Sequence, residues 1–145
     1  MESSSQSMSM GTTVGHFSSE YFRVSTPDGR NCTLLEAVSF KRPDSVGGEI
    51  IELPVGSTSD GASTPAALWI GGFTPFGQFW RAAFLHDAIF RRQTIPPIDN
   101  FDKANLIFYE ALVASGVPEV RARFLYNGVC EGGQRSWDRD RDQTT

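Results

Sequence analysis

Cysteine is scarce in this chain: two thiols, Cys32 and Cys130, stand among 145 residues. They allow at most one internal disulfide, whereas small secreted scaffolds carry several, so a disulfide-stapled fold is excluded and a reduced, cytoplasmic setting is expected. Long apolar runs are missing as well. Nothing approaches the roughly 20 residues that span a bilayer, and the Ser- and Met-rich start lacks the basic flank and apolar stretch of a signal peptide. Excess positive charge is also absent. Thirteen Lys and Arg face 17 Asp and Glu, for a net charge of -4 and a pI near 5.1. With no global positive field to hold a polyphosphate, nucleic acid is not expected as a partner.

What the chain does have is material for a core. It is 39% hydrophobic, with 11 Phe, 3 Trp and 3 Tyr, enough bulky apolar surface to offset the entropy of ordering one domain. Residues 1–18 and 134–145 lack an apolar period and read as polar tails around a single domain at 19–133. His16 falls in the first tail and is given no role. Glu20 to Thr26, Cys32 to Phe40 and Glu49 to Leu53 read as strands, separated by the Pro27-Asp28-Gly29 turn and the Gly47-Gly48 break.

After the strands the pattern turns helical. Ser59-Asp60-Gly61-Ala62-Ser63-Thr64-Pro65 predicts a turn in which Thr64 caps a short helix through Trp69, followed by a loop at Gly71, Gly72, Pro75 and Gly77. From Gln78 to Arg92 the sequence is apolar almost all round its helical wheel, as in a helix sunk in the core. Pro96-Pro97 stops it. A second helix runs from Phe101 to Ser115, with Phe101, Ala104, Asn105, Phe108, Ala111 and Leu112 on its inner stripe. A third runs from Pro118 to about Cys130, with Val120, Phe124 and Leu125 inward. Strands first and helices afterwards predict an α+β domain: a short antiparallel meander followed by three to four helices around a central buried His-Asp helix.

His86 and Asp87 interrupt the most apolar helix, where burial without partners costs about 1–3 kcal/mol for an imidazole and more for a carboxylate. Successive helical side chains diverge by about 100°, so Asp87 does not orient its neighbour and the two have separate tasks. One reading makes His86 a general acid or base, its ordinary pKa near 6.5 suiting proton transfer at neutral pH. The other makes the pair a polar knot that pins the helix to the Asp60 turn. Asn105 carries an amide on the inner stripe of the next helix and is expected to meet this pair. Ser63 caps its turn by default, whereas Asp60 is a candidate partner for the His86 ring. Arg81, Arg91 and Arg92 could bind a carboxylate or phosphate at either end of this helix, but read by default as solubilising its ends.

The run from about Phe22 to Gly133 resembles a family found largely in tailed phages and bacteria and catalogued as domain of unknown function 1353. The likeness rests on Leu53-Pro54-Val55-Gly56, Ser59 to Pro65, Arg81-Ala82-Ala83-Phe84-Leu85-His86-Asp87, the Ala104 to Leu112 helix, and Arg121 to Gly133 with Tyr126 inside it. That family usually follows its His-Asp with tyrosines and places an Asp on the next helix; here Ala88, Phe90 and Asn105 stand there. A weaker analogy is to phospholipase A2 enzymes. It would make His86 activate water and Asp87 ligate calcium beside Gly71-Gly72, but the acid is an amide here and the expected affinity for calcium is weak or nil.

These readings converge on a small acid/base enzyme acting on an apolar or lipid-like molecule, with no required cofactor or metal. His86, Asp87, Asp60 and Asn105 form its expected catalytic group, and Ser63, Trp69, Phe90 and Tyr109 its expected substrate contacts. The alternative is a structural or ligand-binding module in which the same residues lock the fold.

Overall fold

Alternating apolar and polar residues build the strands, and the point where the alternation fails shows where the chain turns a corner. From Cys32 to Phe40 every second residue points inward, except that Glu36 occupies an inward position and is exposed. A carboxylate does not go into an apolar core unpaired. The chain therefore bends there, Glu36 meets Arg23 at 3.1 Å on the surface, and the expected single strand becomes two.

The computed structural model describes residues 14–28, 31–60 and 79–144. Among them are six strands, β1 (His16–Phe17), β2 (Val24–Ser25), β3 (Cys32–Leu34), β4 (Val38–Lys41), β5 (Ile50–Leu53) and β6 (Thr58–Ser59). Four helices follow, α1 (Trp80–Phe90), α2 (Phe101–Ala114), α3 (Glu119–Gly132) and α4 (Gln134–Thr144). The α+β expectation holds. The expected meander is instead two three-stranded antiparallel sheets, ordered β1-β4-β5 and β2-β3-β6. In the first, Phe40 lies opposite Ile51 and Val38 opposite Leu53, and this face is buried while Ser39 and Glu52 alternate outward. Gly47 and Gly48 close the β4–β5 connection at φ 107° and 66°, a region that side-chain-bearing residues rarely enter.

Nine consecutive residues of α1, Ala82 to Phe90, are buried, so the helix is enclosed as its wheel predicts. On α2, Asn100 caps the first turn by accepting the Lys103 backbone N–H at 2.9 Å. Its inner stripe includes Ala104, Asn105, Phe108, Ala111 and Leu112, while Phe101 is only half-buried.

Both expected tail boundaries are corrected. Phe17 is 6% exposed and packs on Phe40 with ring centroids 4.7 Å apart, so residues 14–18 belong to the fold. The stretch from Gln134 is a helix, not a tail. Arg135, Asp138 and Arg139 form its outer side, and one aromatic anchor, Trp137, reaches Phe90 at 5.1 Å and Phe101 at 5.8 Å. On α3 the inward residues are Ala122, Leu125 and Val129, whereas Val120 and Phe124 are 85% and 65% exposed. Two apolar stripes compete on that wheel, and the one containing Ala122 faces inward.

The sheet is fastened to the helices by charge. Arg42, next after β4, donates from Nε to Oε1 of Glu110 at 2.9 Å and from Nη2 to Oε2 at 2.8 Å, and both side chains are nearly buried. Removing one partner of such a pair leaves the other uncompensated and costs about 3–5 kcal/mol, whereas replacing both by apolar groups is often neutral. Glu110→Gln is therefore expected to lose about that much stability in urea unfolding, and Arg42→Met/Glu110→Leu to recover most of it. Equal losses in both variants would show that packing, not the ion pair, fixes this junction.

Candidate functional site

All-round burial of α1 leaves its two polar side chains dependent on what the neighbouring elements supply. Both are 0% exposed. The His86 ring lies between Phe90 and Phe108, with centroids 4.4 and 4.7 Å away. Its Nε2 is 2.8 Å from Asn105 Oδ1. Because a carbonyl oxygen only accepts, Nε2 carries the proton and Nδ1 the basic lone pair. Burial is the larger influence on the ring and lowers its pKa from 6.5 to about 4, against a smaller opposing effect of the Asn105 hydrogen bond. His86 is a neutral imidazole at pH 7.

Asn105 is the other half of the pair. It is fully buried, and its Nδ2 has no hydrogen-bond partner among the described residues. An orphaned buried donor costs about 1–3 kcal/mol. The amide thus fixes the imidazole through its oxygen and keeps two N–H groups for something else.

Asp87 is handled differently, and its oxygens are well supplied. The Asp60 backbone N–H donates to Oδ2 at 3.1 Å, the Ser59 hydroxyl bonds to the carboxylate, and Arg91 Nε approaches Oδ2 at 3.6 Å. Burial raises the Asp87 pKa, Arg91 opposes it, and the nearby Asp60 charge adds to the rise. The Asp60 carboxylate itself pairs with Arg91 Nη2 at 2.7 Å. Asp60 thus joins the Asp87–Arg91 group through both its carboxylate and its backbone N–H, and Nε2 of His86 is held by Asn105.

Of the expected substrate contacts, Phe90 is at the site, stacked on His86 and fully buried. Tyr109 belongs elsewhere: its hydroxyl donates to Glu119 at 3.2 Å, and its ring meets Tyr126. It lines a recess of about 250 Å³ together with Val14, Pro43, Val46, Leu106 and Glu110. The buried stripe of α2 and this recess lie on different sides of the helix. Ser63, Trp69 and the Gly71-Gly72 loop fall outside the described residues.

Two participants escape a reading by composition. Arg91 sits one turn after Asp87, and that i, i+4 spacing was the available signal; besides Asp60 and Asp87 it donates to Thr58 Oγ1 at 3.1 Å. Gln93 lends its amide to β6, accepting the Thr58 N–H at 2.8 Å and donating to the Thr58 carbonyl at 2.8 Å. No sequence pattern marks that role. The result is a satisfied charged half around Asp87 and a neutral, incompletely satisfied half around His86.

Calcium is the cation that the phospholipase analogy would bring. Asp87 Oδ2 already faces the Arg91 guanidinium at 3.6 Å, which repels a divalent cation. Among the described residues no three His, Cys, Asp or Glu side chains are gathered to hold a metal ion. Cys32 and Cys130 are free thiols, and among the described residues no helix is long and apolar enough to cross a membrane.

The sequence profile of the family described as protein of unknown function (DUF1353) matches residues 32–129. That is well over half of the chain, and the protein belongs to this family. No curated protein and no solved structure matches it.

Three outcomes follow from the geometry. A histidine whose folded pKa lies below its unfolded one leaves the unfolded chain holding more protons between the two values, so stability falls as pH drops from about 6.5 toward about 4. Urea unfolding is expected to show wild type losing about 3 kcal/mol more than His86→Leu between pH 7 and pH 4; parallel losses would mean that His86 titrates normally. In Asn105→Asp an adjacent carboxylate favours the imidazolium, and the His86 ring is expected to titrate well above its wild-type value by NMR. For calcium, calorimetry at physiological ionic strength should detect no one-to-one binding; tight binding that disappears in Asp87→Asn would reverse this assignment.

Proposed function

We propose that the protein is a small acid/base catalyst for an apolar molecule bearing a carbonyl-type oxygen, with neutral His86 as the proton-transfer group. The observation that carries this reading is the unpartnered, fully buried Nδ2 of Asn105 beside an imidazole fixed in one tautomer. A knot that only locked helices together would close on itself, as the Asp87–Arg91–Asp60 group does. This one retains a donor.

The roles follow from the atoms. Asn105 Nδ2 donates to the substrate oxygen, as one half of an oxyanion-stabilising pair would. His86 Nδ1 accepts a proton from the substrate or from a water, while Nε2–H stays on Asn105 Oδ1. Phe90 and Phe108 give the ring an apolar setting that favours an apolar substrate. A base held neutral by burial keeps its lone pair at pH 7. Its conjugate acid, lacking a carboxylate beside it, returns the proton readily, which suits transfer and return within one turnover.

The complete burial of His86 favours a second reading, a structural or ligand-binding module. In that reading the pair is only a lock, and apolar replacement of both members is nearly neutral. The test uses one compound library of small ketones, esters and amides against wild type, His86→Gln and Asn105→Leu, with thermal shift for binding and mass spectrometry for turnover. Carbonyl compounds are expected to stabilise wild type but not Asn105→Leu, and to be converted by wild type but not by His86→Gln. Binding without conversion would establish the module. No binding at all, with His86→Leu/Asn105→Leu as stable as wild type, would establish the lock.

A further inference from the structure

Two polar side-chain atoms of the described structure are buried without a partner, Asn105 Nδ2 and Asp140 Oδ2. Asp140 has no part in the group already described. It is 5% exposed, and its other oxygen has only the Nε of the adjacent Arg139, at 3.4 Å. Successive residues of a helix point apart, so this is a poor substitute for a partner. A carboxylate at such depth ordinarily holds several donors or a cation.

Its place on the fold connects it with His86. Trp137 and Asp140 are one turn apart and are both buried on α4. Trp137 packs on Phe90 and Phe101. Phe90 in turn stacks on His86, and Phe101 lies one turn before Asn105 on α2. Asp140, an orphaned acceptor, thus lies one turn beyond the tryptophan whose ring contacts lead through Phe90 to His86 and the orphaned donor of Asn105.

We propose that Asp140 is a second binding residue of this site, receiving the protonated nitrogen of an apolar amine whose oxygen reaches Asn105. This rests on the acid/base reading above and names its substrate class. A single carboxylate beside aromatic rings favours an organic ammonium, which gains from the ion pair and from the π-systems together. A hard metal ion needs several oxygens, and among the described residues no such group is gathered. A carboxylate ligand would be repelled.

The experiment uses the full chain and three probes of one shape, phenethylamine, 2-phenylethanol and phenylacetate, with affinities from calorimetry. Phenethylamine is expected to bind wild type about tenfold or more tightly than 2-phenylethanol, the ratio of a charge-assisted to a neutral hydrogen bond, and phenylacetate not to bind. Asp140→Asn should abolish the amine's advantage while melting at or above the wild-type temperature, because an amide is less costly to bury than an unpaired carboxylate. An amine that binds wild type no better than the alcohol overturns the proposal. So does an advantage that survives in Asp140→Asn. Asn105→Leu separates the two readings: an Asp140-dependent amine preference with no effect of Asn105 on any carbonyl compound keeps this inference and removes the acid/base one, and the reverse pattern does the opposite.

Discussion

Enclosure of α1 on every side is the constraint to which the rest of the molecule answers. A helix with nine buried residues in succession has no solvent face to which a polar side chain can turn. His86 and Asp87 must therefore be met by groups brought from elsewhere in the chain. α2 supplies Asn105 to the imidazole, and the end of β6 supplies the Ser59 hydroxyl and the Asp60 N–H to the carboxylate. These contacts fix which side of α1 each neighbour covers. The order of the tertiary structure around the helix follows from them.

The two polar residues are treated unequally, and the proposed function rests on that asymmetry. Asp87 sits in a charged group that neutralises itself through Arg91 and Asp60. The Nε2 of His86 meets a neutral amide, burial keeps the ring uncharged, and the amide's own donor is unspent among the described residues. The amide orients the ring without supplying a counter-charge for its protonated form.

Charge also joins the two halves of the fold. Arg42 and Glu110 meet in bidentate geometry across the junction of the first sheet and α2, so the strands are held in register against the helices at one directional point. Around it the packing is aromatic and non-directional. Phe17, Phe22, Trp80 and Phe84 form one chain of ring contacts, and Phe90, Phe101 and Trp137 another. The second of these docks α4.

Periodicity alone determined the class of the fold, the buried central helix and the inner stripe of α2, because each of these depends on which residues avoid water along a single element. It also marked His86, Asp87 and Asn105 as polar residues on apolar faces. It misread α4 as a tail, because one Trp among charges does not shift the mean character of a segment although it can anchor a helix. It placed Val120 and Phe124 inward, because two stripes on one helix are equivalent until a partner selects between them. It read Arg91 as a solubilising end group and passed over Gln93 and Asp140. The Arg91–Asp60 and Gln93–Thr58 contacts join residues far apart in the chain, a matter of distance in space that spacing in sequence does not contain.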